Sequence, residues 1–315
     1  MEPWAEYTLQ INLSPGDSDY AELTVPELLR AHPNAKERLL IVDLCKPQRT
    51  RIVDPATRFP EPRHSVRSAR IAALAAGWLS QGAVDRVETL VPGDSRFEQW
   101  RRLYLRPWIR ETHDYGGCAM IAYIAAFDLP KTPWLLHYDA DMMIHQAAGV
   151  DWVALAQAAM ANDPGIVASS PRPSPPPSGP DAPTVNERLP SRDSPAGWLS
   201  SWFSTRCYLF DLRRLRAVLP LVQGRVFWES VAARILGRGY PKSPEGLLYR
   251  RMAAAGLARL TLRSKETWLL HPTSKDARFL AALPRILDRV RAGDFPARQR
   301  GEQDLRLETW EGPDA

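Results

Sequence analysis

The sequence predicts an α/β domain, a mixed sheet flanked by helices, and three observations predict it. Short apolar runs that read as buried strands, such as Arg38 to Asp43 and Trp134 to Tyr138, alternate with stretches that read as helices. Turn residues stand where strands should end, Ser14-Pro15-Gly16-Asp17 after the first and Pro92-Gly93-Asp94 after a later one. At 315 residues and 44% hydrophobic, the chain is long enough to bury a sizeable core.

The elements follow in order. Tyr7 to Leu13 alternates like a strand, Val25 to Arg30 carries Pro26 where a first helical turn tolerates it, and Arg38 to Val42 is an apolar strand ending in the carboxylate of Asp43. This is a βαβ unit, whose strand C-terminal ends normally face a ligand. Val66 to Ser80 reads as a helix and Arg86 to Val91 as a strand. Cys118 to Phe127 reads as helical after Tyr115-Gly116-Gly117, Trp134 to Tyr138 delivers Asp139-Ala140-Asp141, and Trp152 to Met160 is helical. Regular structure resumes at Trp202 to Phe210, with helical signals at Leu212 to Leu219, Ser230 to Leu236 and Gly246 to Ala255, and a last core strand at Thr267 to His271. Four regions result: 1–168 as a ligand-binding half, 169–197 as a Pro/Ser-rich flexible loop, 198–275 as a second half, and 276–315 as a helical, basic tail.

Composition excludes several classes. The net charge of +5 comes from scattered arginines without a dense block, so nucleic-acid binding is not signalled, while anionic diphosphates suit the balance. Cys45, Cys118 and Cys207 are far apart and lack CxxC spacing, which indicates neither a disulfide framework nor a zinc site and fits a reducing cytoplasm. No apolar run reaches the ~18 residues of a membrane span and the N-terminus lacks an apolar leader. Contact with a membrane is therefore expected to be peripheral.

Asp139 and Asp141, one residue apart just past a buried strand, can point into one crevice if the strand breaks into a turn. Mg²⁺ or Mn²⁺ takes hard oxygen ligands of this kind, one or two carboxylates completed by phosphate and water. The plainer alternative is that both carboxylates cap the next helix.

From Asp114-Tyr115-Gly116-Gly117 through a helix into Trp134-Leu135-Leu136-His137-Tyr138-Asp139-Ala140-Asp141, the chain resembles the central segment of family 2 inverting glycosyltransferases of the GT-A (Rossmann-like) type. The unit Ile11 to Asp43 is similar to that family's nucleotide-binding start. The resemblance covers about residues 7–160. It implies a GT-A mixed sheet in a single main domain with a C-terminal helical extension, and a nucleoside-diphosphate sugar donor, UDP-sugar foremost. It places Asp43 near the nucleobase, Asp139 near the ribose and metal, and Asp141 on the metal. The chain departs from the family after Asp43, where Leu44-Cys45-Lys46-Pro47 replaces a further acidic residue and a serine-rich turn.

The resemblance also implies His271, at the end of a late strand, as a metal ligand. Lys275 is the foremost candidate for the diphosphate, ahead of Arg206, Arg250 and Arg278. An inverting transfer needs a carboxylate to take the acceptor proton; Glu245 and Glu229 both open helical stretches and neither carries the family's Glu-Asp pair, so helix-start glutamates favoured by the macrodipole are the alternative. His113, His137 and His145 flank the region as outer supports. Trp198 and Trp202, or Phe227-Trp228, offer rings on which a sugar can stack. The sequence leaves open a glycan or small-molecule acceptor. Phe203 to Leu212 with His271 and Lys275 is also reminiscent of retaining family 8 enzymes. A nucleotidyltransferase and a non-catalytic sugar-nucleotide-binding protein are the remaining alternatives.

Overall fold

The structure, a computed structural model, describes residues 5–179 and 192–311. The N-terminal βαβ unit is β1 (Tyr7–Leu13), α1 (Ala21–Ala31) and β2 (Glu37–Asp43). Helix α1 starts four residues earlier than Pro26 suggests, so Pro26 lies inside it and costs one intrahelical hydrogen bond. Next come α2 (Pro55–Arg58), α3 (Arg63–Ser80), β3 (Arg86–Leu90), α4 (Arg96–Tyr104), α5 (Ile121–Asp128), β4 (Trp134–Asp139), β5 (Met143–Gln146), α6 (Trp152–Asn162) and β6 (Ile166–Ser170). The remainder is β7 (Arg192–Ser194), β8 (Gly197–Ser200), β9 (Cys207–Asp211), α7 (Leu212–Leu215), α8 (Arg225–Ile235), α9 (Pro244–Ala254), β10 (Ala258–Leu262), β11 (Thr267–Leu270), α10 (Ala277–Ala292) and α11 (Leu307–Trp310).

The α/β class is what the chain adopts. One nine-stranded sheet has the order β3-β2-β1-β4-β9-β6-β10-β8-β7 and crosses both expected halves of the chain. Strands β3, β2, β1 and β4 are parallel, and β9 is antiparallel to both of its neighbours. Because side chains alternate along a strand, Leu40 and Val42 join a core beneath α1, α3, α6 and α10, while Leu39 and Ile41 join a second core with α4, α5 and α9. Burying a helix stripe such as Phe279, Leu283, Ile286, Leu287 and Val290 of α10 contributes about 1.5–3 kcal/mol per side chain.

Strand β11 is not in this sheet. It pairs antiparallel with β5 in a separate two-stranded sheet, with Leu270 opposite Met143. In the Pro/Ser tract, Arg172 and Ser174 are buried, and the Leu269 N–H donates to the Arg172 carbonyl at 2.8 Å. Residues 180–191 of that tract lie outside the described residues. Among the described residues, no helix is long and apolar enough to cross a membrane.

Candidate active site

The strand β4 stays regular through Asp139, so His137 and Asp139 share a face; His137 Nε2 lies 3.2 Å from Asp139 Oδ1. The Tyr123 hydroxyl of α5 donates to the same oxygen at 2.6 Å, and buried His137 is anchored in turn by Gln10 of β1. Asp139 is thus held from the parallel half of the sheet.

After Asp139 the chain turns, with the Met142 N–H donating to the Asp139 carbonyl at 3.1 Å, and enters β5. The β5–β11 register then brings His271, one residue past Leu270, alongside Asp141. His271 Nε2 is 3.5 Å from Asp141 Oδ2, and Lys275 Nζ is 2.7 Å from the same oxygen. Asp141 Oδ1 is buried and has no hydrogen-bond partner among the described residues. Burial works against the charge of Asp141, but the His271 hydrogen bond and the Lys275 ammonium outweigh it and hold the carboxyl down at about 2.

On its other side His271 meets Asp304: Nδ1 and Oδ1 are 3.2 Å apart, a bond in which only the imidazole can donate. Asp304 also faces Arg206 at 3.4 Å. Fully buried Gln299 fixes this segment, donating to the Asp304 carbonyl and accepting from Trp310 Nε1, each at 3.0 Å. A second acid beside the site, Asp17, accepts from Ser14 and Tyr20; burial and then the charge of Asp141 push its carboxyl up to about 6. Asp304, Gln299, Asp17 and Tyr123 had no signature of their own in the sequence.

A cavity of about 280 Å³ opens beside these groups, lined by His271, Asp304, Arg206, Trp202, Arg259 and Glu245 among others. Glu245 stands in the first turn of α9, behind Ser243 as N-cap and Pro244. Burial raises its carboxyl above the usual range and the charge of Asp139 adds to this, while the Thr205 N–H, Arg206 and Arg259 oppose it. The cavity can thus present a carboxylate of raised basicity at one side and a cation-rich carboxylate site at the other.

The other sequence candidates lie elsewhere. The carboxylate of Glu229 is taken by Arg225 at 2.8 Å, Lys242 at 2.8 Å and Arg250, which accounts for Arg250 as well. Arg278 pairs with Glu311. His113 is buried against Thr112, His145 is bonded to the Val290 carbonyl and stacked on Trp268, and Trp198 is buried beneath Arg172 and Arg263. Asp43 ends β2 at 3% exposure; Oδ1 accepts from the Cys45 N–H at 2.9 Å, Oδ2 is buried without a conventional partner, and burial pushes the carboxyl up to about 6.

Among the described residues no group of three or more His, Cys, Asp or Glu side chains can hold a metal ion by itself. Asp139, Asp141 and His271 are therefore not gathered into one set. The pair Asp141 and His271, with an orphaned carboxylate oxygen and an imidazole whose Nδ1–H goes to a carboxylate, does fit a divalent cation whose other ligands are phosphate and water.

No family model matches the chain, and no curated protein matches it. Among solved structures, the galactosyltransferase LgtC in complex with donor and acceptor sugar analogues is similar over 97% of this chain and 87% of its own, at 12% identity and a TM-score of 0.38. An active-site mutant of LgtC is similar over 97% and 88%, at 11% identity and a TM-score of 0.37. At these scores the superposition is loose and transfers no residue role.

Proposed function

We propose that the chain is a GT-A-type glycosyltransferase that moves a sugar from a nucleoside-diphosphate sugar, UDP-sugar foremost, to a hydroxyl or amine acceptor by a single inverting displacement. One observation carries this reading: Asp141, just past the end of β4, meets His271 and Lys275, and His271 lines the same cavity as Glu245. The order of the parallel strands and the placement of Asp43 and Asp139 at strand ends support it.

In this reading Asp43 faces the nucleobase and Asp139, steadied by Tyr123 and His137, faces the ribose. Asp141 and His271 would hold Mn²⁺ or Mg²⁺, which when bound offsets charge on the departing diphosphate. Lys275 adds a cation on the same side and Arg206 a further one inside the cavity. Glu245 takes the acceptor proton, its buried setting raising its basicity. Trp202 lines the cavity and offers a face for a sugar ring. Glu229, neutralised by three cations, braces α8 against α9.

Glu245→Gln keeps the shape and removes the base. Transfer is expected to fall about 10²–10⁴-fold with nucleotide affinity unchanged, and the anomeric configuration of the first product, followed by NMR, is expected to be inverted. Retained configuration, or a Gln variant of full activity, would overturn the assignment.

A further inference from the structure

Helix α8 has two apolar faces. Val226 and Ser230 are buried, and Phe227 packs edge-on against Trp108 with ring centroids 6.0 Å apart. The opposite face repeats the helical spacing outward: Trp228 is 70% exposed, Ile235 79% and Leu236 66%, with half-buried Val231 and exposed Ala232 completing the stripe. Apolar residues at i, i+3, i+4, i+7 and i+8 normally face a core, and here they face solvent.

Charge tells what covers this face. Arg225, whose side chain is 91% exposed, opens the helix, Arg234 lies near its end and Arg238 just beyond it. With Lys242 and Arg250, five cations stand on or against α8, and in its ion pairs among the described residues they face only Glu229 and Glu111. A two-fold contact between copies would set this row of arginines against itself, because such an interface repeats the same patch on both sides. The basic helix α10 spends its apolar face on the core.

We infer that α8 is a peripheral docking face for an anionic phospholipid surface, with Trp228, Ile235 and Leu236 entering the headgroup and acyl boundary and Arg225 and Arg238 meeting lipid phosphates. An indole ring favours the interface, and a short amphipathic helix with a cationic rim binds by buried apolar area plus attraction to anionic lipid. The inference is independent of the reading of the cavity.

The test is co-flotation of the full chain with vesicles of phosphatidylcholine alone or mixed equally with phosphatidylglycerol. The chain is expected to float with the mixed vesicles, to lose this at high salt, and to stay behind with phosphatidylcholine. The triple variant Trp228→Ser, Ile235→Ser, Leu236→Ser, checked for an unchanged melting temperature, is expected to lose at least about tenfold in partitioning. Each arginine is worth about fivefold at an anionic surface, so Arg225→Glu with Arg238→Glu is expected to lose more than about tenfold without touching the apolar stripe. The inference is overturned if the chain fails to float, if it floats equally with neutral vesicles, or if both variants float like the parent. It is equally overturned if ultracentrifugation shows a dimer that the triple variant dissociates while vesicle binding is absent.

Discussion

Replacing Asp43 by Asn should stabilise the fold and weaken nucleotide binding. Asp43 is buried at the end of β2, Oδ1 accepts one N–H from Cys45, and Oδ2 has no conventional partner. Burial is the main cause that raises its carboxyl from the ordinary 3.8 to about 6. A carboxyl raised in the folded state penalises folding whenever it is ionised. The penalty is absent below about pH 4, grows as pH rises through 4 to 6, and is complete at neutral pH. About two units at about 1.36 kcal/mol each give an upper value of about 3 kcal/mol. Asparagine keeps the acceptor for Cys45 and carries no charge, so the gain expected at pH 7.5 is about 2–3 kcal/mol. At roughly 2.1 cal/mol/K of unfolding entropy per residue, this is about 3–5 °C in melting temperature. Circular-dichroism melts of both proteins at pH 7.5 and pH 4.5 check it, and the difference should shrink to about a third at the lower pH. An Asn variant no more stable at pH 7.5, or equally stabilised at both pH values, would refute the reasoning.

The other predictions concern the carboxylate–imidazole chain. Asp304→Ala removes the group that orients His271 and is expected to weaken Mn²⁺ binding about 10–100-fold, read by isothermal titration without nucleotide; unchanged binding would remove Asp304 from the site. Lys275→Met releases Asp141 Oδ2 from its ammonium and is expected to tighten Mn²⁺ binding while weakening nucleoside-diphosphate binding by about tenfold, the worth of a charge-assisted contact of about 1.5 kcal/mol. Movement of both affinities in the same direction would contradict this division of labour.

Much of the site was legible because strong local signals coincide with it. An apolar run broken by two carboxylates read correctly as a buried strand and turn, and another apolar run put His271 at a strand end. Glu245 read as a helix-start glutamate, and the structure supplies the reason in the Ser243 N-cap and Pro244 ahead of it. The strands β6, β8 and β10 were not legible: Ile166–Ser170 runs into a proline tract, and Ala258–Leu262 carries Arg259, a charge whose burial only the tertiary structure explains. Helix α4 was overlooked although Phe97, Trp100 and Tyr104 have helical spacing, because arginine and glutamate dominate its composition. From residues alone Glu245 stands only slightly ahead of Glu229; the cavity that Glu245 lines and the cations on Glu229 separate them. Asp304 reaches His271 through a bridge between segments 33 residues apart, held by Gln299, and no local pattern encodes such a contact.

The most direct test of the central reading is the melting temperature of the chain and of Asp141→Asn with Mn²⁺ and each common nucleoside diphosphate, because a ligand bound only by the folded state raises it. The account predicts a Mn²⁺-dependent rise with one nucleotide, uridine diphosphate foremost, that disappears in Asp141→Asn. A parent protein whose melting temperature moves with no nucleotide would contradict it, and so would a rise that Asp141→Asn leaves intact.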